Sequence, residues 1–321
     1  MNICAVGTGF ITKNMLEEFA RSEHANCIGI CSRSEEKGRA MGAPFGIETV
    51  YTSFEDMLSD PAVEAVYIAS PNSLHYPQTK AALLAGKHVL CEKPFATTAA
   101  EAAEVIALAK EKHLLLFEAI TLAHHPNYAR IKELLPQLGQ IKSAIGTFCQ
   151  YSSRYPALLA GNASPVLDPA YCGGALMDIN LYNIHFMAGL FGKPQGVHYF
   201  PNFYKNGVDT SGSLVLEYPG FTCLCVGAKD SAAENGVQIV GDLGYMKVGP
   251  MASNLAVLEF CIRGQEAQRF TYPESAWYYE VQDIARLMDS RDYDACYAAL
   301  ETTQTVVEIL EKARKSGKLG F

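Results

Sequence analysis

Over the first 120 residues, short apolar runs alternate with stretches of helical periodicity. Asn2–Val6, Cys27–Cys31, Ala65–Ala69, Val89–Cys91 and Leu114–Glu118 are almost continuously apolar. Strands buried on both faces of a parallel sheet have this pattern. Helical patterns fall between them at Thr12–Arg21, Tyr76–Ala85 and Thr98–Lys112, and Thr98 with Glu101 forms a capping-box pair. The alternation predicts a doubly wound parallel sheet. From about Gly139 the pattern changes. Strands are expected near Lys142–Tyr155, Gly196–Tyr204, Ser211–Tyr218, Thr222–Ala228, Val237–Val240, Tyr245–Val248, Leu255–Cys261 and Gln268–Tyr272, joined by short turns. Strands not separated by helices predict a mostly antiparallel sheet. One helix, Ala175–Phe191, interrupts them, and two more near Ala276–Ser290 and Asp294–Ser316 close the chain. The expected class is α/β, with domains at 1–120 and 121–321.

Composition narrows the function classes. The 321 residues are 49% hydrophobic and 19% charged, a globular balance. The formal charge is −8, and no basic run exceeds Lys312–Lys318, so nucleic acid is not an expected partner. No apolar run reaches about 18 residues, so no membrane span is expected. Met1–Val6 reads as a strand and not as a signal peptide, so a cytoplasmic protein is expected. The ten cysteines include no C-x-x-C pair and sit mostly in apolar runs. Reduced core thiols are expected, without disulfides or metal.

Gly7-Thr8-Gly9-Phe10-Ile11-Thr12 follows the first strand and opens a helix. In a dinucleotide fingerprint the first glycine makes the turn and the second admits the pyrophosphate to the helix N-terminus. Thr12 stands where a third glycine is usual, and a lone glycine turn would carry no such meaning. Its place inside a β-α-β pattern favours a Rossmann cofactor site. The second strand ends in Cys31-Ser32-Arg33-Ser34, without the acid that would accept a ribose 2′-hydroxyl. Ser32 can donate to a 2′-phosphate, and Arg33 can pair with it and stack on adenine. NADP is therefore the expected cofactor, with NAD the alternative. Lys37 stands nearby, as a further cation or as plain helix surface.

Val89-Leu90-Cys91-Glu92-Lys93-Pro94 ends a strand, where open α/β sheets place their ligands. Gly7–Thr12, Ser70-Pro71-Asn72-Ser73-Leu74-His75, Ala85-Gly86-Lys87-His88-Val89-Leu90-Cys91-Glu92-Lys93-Pro94 and Gly173-Gly174-Ala175-Leu176-Met177-Asp178 occur in this order, and with them the chain resembles the Gfo/Idh/MocA oxidoreductases. The resemblance implies a Rossmann domain followed by an α/β domain whose open sheet builds a homodimer or homotetramer. It implies hydride transfer between NAD(P) and a hydroxyl-bearing carbon of a small sugar, polyol or related compound. On the same ground Lys93 is the active-site lysine and Glu92 and Pro94 position it. Ser70, Pro71, Asn72 and His75 line the nicotinamide side; His75 as a helix-capping histidine is the competing reading.

Asp178, Tyr182 and His185 stand at i, i+4 and i+7 of the Ala175–Phe191 helix, on one face. That face is either a catalytic edge or a satisfied polar cluster. The family motif runs Asp-x-Gly-x-His-x-x-Asp. This chain keeps Asp178 but has Asn180, Tyr182 and His185 at the other three places. Tyrosine there resembles the glucose–fructose oxidoreductase and dihydrodiol dehydrogenase branch and argues against inositol-type substrates. Lys93 would supply positive charge, Tyr182 the proton, and Asp178 the orientation of one or both. Relatives often carry an arginine in the stretch matching Ala119–His125. Here only His124 and His125 are present, and adjacent residues point apart. Arg154 and Asp168, on the irregular stretch before Gly173, are candidate substrate contacts. Trp277, Tyr278 and Tyr279 open a helix and are expected to pack a core. Two other functions share the resemblance: a non-catalytic NAD(P)-binding regulator, and a cofactor-retaining enzyme such as a redox-assisted glycosidase.

Overall fold

A computed structural model describes residues 1–321. Two units emerge, one formed by Met1–Ala119 with Trp277–Gln304, the other by Ile120–Ala276 with Thr305–Phe321.

The first unit runs β1 (Asn2–Val6), α1 (Phe10–Phe19), β2 (Asn26–Cys31), α2 (Glu35–Gly42), β3 (Thr49–Tyr51), α3 (Phe54–Ser59), β4 (Ala65–Ile68), α4 (His75–Leu84), β5 (His88–Glu92), α5 (Ala99–Glu111) and β6 (Leu116–Ala119). All adjacent strands pair in parallel, in the order β3-β2-β1-β4-β5-β6. The strand order reverses between β1 and β4, the place where such sheets open a ligand crevice. Central strands are buried along nearly their whole length, which accounts for their unbroken apolar runs. The capping box of α5 is complete, with Thr98 accepting from the Glu101 amide at 3.2 Å and Glu101 accepting from the Thr98 amide at 3.1 Å.

Three elements of this unit escape the hydrophobic pattern. β3 is three residues long and half-exposed, too short for a visible run. α2 is polar, with glycines at 38 and 42, and is started by Ser34, whose side chain accepts from the Lys37 amide. α3 starts the same way on Ser53, which accepts from the Asp56 amide.

The second unit contains α6 (Pro126–Leu134), β7 (Ile141–Cys149), α7 (Tyr155–Leu159), a π-helical turn (Leu176–Asn180), α8 (Leu181–Phe191), then β8 (Gly196–Phe203), β9 (Asp209–Tyr218), β10 (Phe221–Ala228), β11 (Gly236–Gly241), β12 (Gly244–Met251), β13 (Asn254–Ile262) and β14 (Gln268–Thr271). These eight strands form one sheet, in the order β14-β13-β12-β11-β7-β10-β9-β8. Only β7 and β10 pair in parallel. Alternate residues, such as Leu214, Leu216, Cys223 and Cys225, join the buried core with Leu181, Ile184 and Met187 of α8. α9 (Ala276–Asp289) and α10 (Tyr293–Gly317) end the chain.

Two expectations need correcting here. The region 121–321 does not stay together, because Trp277–Gln304 packs with the first unit. Ile284, Ala285 and Met288 of α9 are buried, and the Thr303 hydroxyl donates to Glu118 at 2.9 Å. The expected helix Ala175–Phe191 is also not uniform. Its first turn is π-helical, so residues on either side of Asn180 do not keep the i, i+4 register.

All ten cysteines are free, seven of them buried. No helix is long and apolar enough to cross a membrane.

Candidate functional site

A cavity of about 560 Å³ opens at the strand-order reversal of the first unit. Gly7, Thr8, Gly9, Ser32, Arg33, Ser70 and Pro71 line it, as the sequence predicts. Thr52, Phe54 and Gln78 also line it, without any motif to announce them. The walls are tied together by backbone: Gly7 donates to Cys31 at 3.0 Å, Ala69 to Val6 at 3.0 Å and Ser32 to Tyr51 at 2.9 Å. Gly7 has φ +111°, and a Cβ there would lie 2.6 Å from the Ala69 carbonyl oxygen. No other residue fits that turn.

The cavity has the features of a dinucleotide site. Gly9 is the N-cap of α1 and provides no side-chain cap, so the first amides of the helix have no side-chain acceptor there. A Cβ at Gly9 would meet nothing within 4 Å and would point into open space. A phosphate fits that space and those donors. Arg33 and Lys37 stand on the same wall, and Lys37 also borders a neighbouring 290 Å³ hollow with Thr8 and Lys13. Thr12, in the third-glycine position, is fully buried under the turn.

The remaining predicted residues of this unit lie outside that cavity. Phe10 is 69% exposed at the start of α1 and meets the Trp277 ring edge-on at 6.4 Å. Trp277, Tyr278 and Tyr279 are half-buried and do not form the expected core; Tyr278 lies beneath the Arg21 guanidinium. Ile11 and Asn72 are half-buried. His75 is 1% exposed, with Nδ1 at 2.8 Å from the Pro94 carbonyl and Nε2 at 2.8 Å from the Ser70 carbonyl. Its ring thus bolts the Ser70 turn to the Pro94 turn and has no edge left for a ligand. A doubly protonated ring would satisfy both carbonyls, yet burial holds its pKa below the ordinary histidine value.

Lys93 follows β5 and is half-buried. Glu92 beside it is buried and accepts from the Tyr67 hydroxyl at 2.7 Å. Glu118, on β6, accepts from the Phe95 amide at 3.2 Å and from Thr303. Glu280, from α9, is 1% exposed, and its Oε1 has no hydrogen-bond partner. Burial, with Glu92 and Glu118 nearby, raises its pKa well above the usual range, while Lys93 opposes the rise. Sequence reasoning missed Glu118 and Glu280. Isolated glutamates in apolar runs carry no spacing signal, and Glu280 reaches this cluster only through the return of the chain.

Burial raises the Glu92 carboxyl to about 7, against the opposing pull of Lys93 and Tyr67. Its unfolded value is near 4.5. Between these values the folded state binds more protons, so this contribution is complete below about pH 4.5 and is lost as pH rises through about 7. Glu92→Gln removes the titration. Urea unfolding at pH 5 and pH 8 is expected to show wild type losing about 1–3 kcal/mol relative to the variant at the higher pH. A pH-independent difference would contradict the buried-proton account.

In the second unit, Asp178 lies on the π-helical turn and forms an ion pair with Lys229, just past the end of β10. Asn180 donates to the Cys225 carbonyl at 3.1 Å, and Asn183 donates to Val226 at 3.2 Å and to Asn180 at 2.9 Å. These buried amides fasten the turn to β10. They also explain asparagine at 180, where the family motif has glycine. Asp209 is buried beneath the turn and accepts from the Leu176 amide at 2.8 Å and the Tyr199 hydroxyl at 2.6 Å. Burial raises its pKa to about 6, with Tyr199 and Lys229 opposing. Tyr182 is half-buried, its ring 5.8 Å from Phe148. His185 is only 2% exposed, so it belongs to the interior and not to a common edge with Asp178.

Lys229 and Asp209 have no place in any sequence motif. Of the other candidates, His125 is buried and caps α6, accepting from the Asn127 amide at 3.1 Å, while His124 is half-exposed. Arg154 is exposed. Asp168 caps its own short turn, accepting from the Ala170 amide at 2.9 Å.

The strand order, the glycine turn and the uncapped helix define a dinucleotide-binding Rossmann unit coupled in sequence to a second α/β unit. The chain belongs to the Gfo/Idh/MocA oxidoreductase family. Residues 1–120 match the oxidoreductase family with NAD-binding Rossmann fold, and 128–247 match the GFO/IDH/MocA C-terminal domain. The chain is 32% identical to the scyllo-inositol 2-dehydrogenase (NADP(+)) IolU of Bacillus subtilis, over 97% of this chain and 95% of that one. It is 30% identical to the trans-1,2-dihydrobenzene-1,2-diol dehydrogenase of Oryctolagus cuniculus, over 96% and 94%. The fold is shared with KijD10, a 3-ketoreductase of Actinomadura kijaniata solved with TDP-benzene and NADP. The TM-score is 0.84 at 23% identity, covering 98% of this chain and 97% of that one. The chain is accordingly an NAD(P)-binding oxidoreductase of this family.

Proposed function

We propose that this protein transfers a hydride between NADP and a hydroxyl- or carbonyl-bearing carbon of a small sugar, polyol or related compound. The observation that carries the reading is the cavity at the strand reversal, where an uncapped helix N-terminus and Gly9 face Arg33 and Lys37. Gly7, Thr8, Gly9, Phe10 and Ile11 would hold the pyrophosphate turn, and Ser32 and Arg33 the 2′-phosphate. Ser70, Pro71 and Asn72 would border the nicotinamide side, with His75 and Glu92 positioning their neighbours. The nicotinamide, when bound, supplies or accepts the hydride.

This chain's own residues handle the proton. Lys93 provides positive charge that favours a developing alkoxide. Tyr182 donates the proton in reduction and removes it in oxidation, and Asp178 orients one or both. IolU, named for scyllo-inositol, returns inositols to the substrates worth testing alongside aldoses, ketoses and dicarbonyls.

A second copy is the proposed partner. Ile145, Leu224 and Val215 stand side by side on β7, β10 and β9, and Ile145 is 41% exposed. A dimer or tetramer built on this sheet face covers that row.

Fluorescence titration with NADPH and NADH tests the cofactor reading. Arg33→Ala is expected to weaken NADPH about 10- to 100-fold, as loss of a charge-assisted contact does, and NADH less than about threefold. Equal losses would remove Arg33 from the 2′-phosphate. Binding of neither cofactor to wild type, with none retained on purification, would end the enzyme reading. Cofactor retained through purification would favour the redox-assisted alternative.

A further inference from the structure

Lys229 is the more buried partner of the Asp178 ion pair in the second unit's polar cluster. Its side chain is 7% exposed, against 22% for Asp178. Its backbone is tied on both sides: the amide donates to Thr210 at 2.7 Å, and the carbonyl accepts from Ser152 at 2.9 Å. A buried ammonium is costly to maintain, and a buried ion pair is on balance a weak source of stability. Its cation also acts on Asp209, which clamps the first amide of the π-helical turn. The neighbouring Asp230 is occupied elsewhere, accepting from Thr210 at 2.7 Å and Ser211 at 3.0 Å. Lys229 thus pairs directly with Asp178, and its charge favours the ionised form of Asp209.

We propose that Lys229 is the positioning residue of Asp178. It fixes the Oδ2 edge of the carboxylate on the π-helical turn and keeps it ionised. Being the more buried partner, it reaches substrate only through Asp178. This inference rests on the assignment of Asp178 to the proton-handling set, and its first test needs no substrate.

The protein labelled with 13C at aspartate Cγ is titrated by NMR, with the Asp178 signal identified by its loss in Asp178→Asn. Lys229 is the cation paired with Asp178, and Asp209 is the carboxylate on which that cation also acts. Lys229→Gln keeps a polar side chain of similar length without the charge, and is expected to raise the Asp178 midpoint by about one pH unit or more. Lys229→Arg keeps the charge and is expected to hold the midpoint within about half a unit of wild type. If glutamine does not fold, the arginine variant carries the comparison, and a midpoint displaced despite the retained charge overturns the proposal. A midpoint unmoved in Lys229→Gln overturns it equally.

Turnover gives the second readout. On the best substrate of the sugar and polyol screen, Lys229→Gln is expected to lower kcat/KM about 3- to 100-fold in the wild-type background. In the Asp178→Asn background the loss is expected to stay below about twofold, with NADPH affinity unchanged in both. Equal losses in both backgrounds would give Lys229 a role independent of Asp178. Failure of wild type to bind NADPH would instead count against the oxidoreductase reading, and the NMR result would stand apart from it.

Discussion

Tyr182→Phe is expected to lower kcat by about 10²- to 10⁴-fold while NADPH affinity stays within about twofold of wild type. Hydride delivery to a carbonyl carbon leaves an alkoxide, far more basic than water can stabilise in a closed site. A phenol, titrating near 10 when unperturbed, gives up a proton to that oxygen more readily than water does. The phenyl ring keeps the packing against Phe148 and removes only the hydroxyl, so folding is expected to be preserved. Single-turnover measurements with NADPH and a dicarbonyl or ketose separate the chemical step from product release. Turnover equal to wild type would take Tyr182 out of proton transfer and leave Lys93 as the sole candidate donor.

Gly174→Ala is expected to destabilise the second unit by about 3–5 kcal/mol and to lower its melting temperature by about 6–20 °C. Gly174 has φ +122°, and a Cβ there would lie 1.9 Å from Oδ1 of Asp209. The added methyl meets both backbone strain and a buried carboxylate that cannot retreat. Asp209 is held by Tyr199 and Leu176, and moving it breaks the clamp on the π-helical turn. Calorimetry on Gly174→Ala, with and without Asp209→Ala, reads the coupling directly. A smaller loss in the Asp209→Ala background supports the close approach. The same loss in both backgrounds would assign the cost to backbone strain alone.

The sheets were legible because strand burial leaves a direct trace in the sequence. β1, β4, β5 and β6 are buried along nearly their whole length and read as apolar runs. The eight strands of the second sheet alternate because one face lies on α8. β3 and α2 left no such trace, the first being too short and the second too polar and glycine-containing.

The cofactor turn was legible for a different reason. Gly7 and Gly9 answer a steric demand at fixed offsets, so their spacing survives in the sequence. Phe54 and Gln78 line the same cavity through tertiary placement alone. The polar helix face was only partly legible. Ideal helical spacing put Asp178, Tyr182 and His185 together, but the π-helical turn breaks that register and His185 turns inward. Lys229 and Glu280 were invisible, each brought to its carboxylate neighbours by chain segments far away in sequence.

The composition of the first unit from Met1–Ala119 and Trp277–Gln304 bears on how the protein is made. On a ribosome, the nucleotide-binding sheet emerges first, but the helix carrying Glu280 follows roughly 160 residues later, about 8–30 s at usual elongation rates. During that interval the surface awaiting Ile284, Ala285 and Met288 is uncovered, while Ile120–Ala276 of the second unit is synthesised. Each unit is completed only by a segment from the end of the chain, Trp277–Gln304 for the first and Thr305–Phe321 for the second, and a nascent chain stalled before residue 277 carries a complete glycine turn on an incomplete domain.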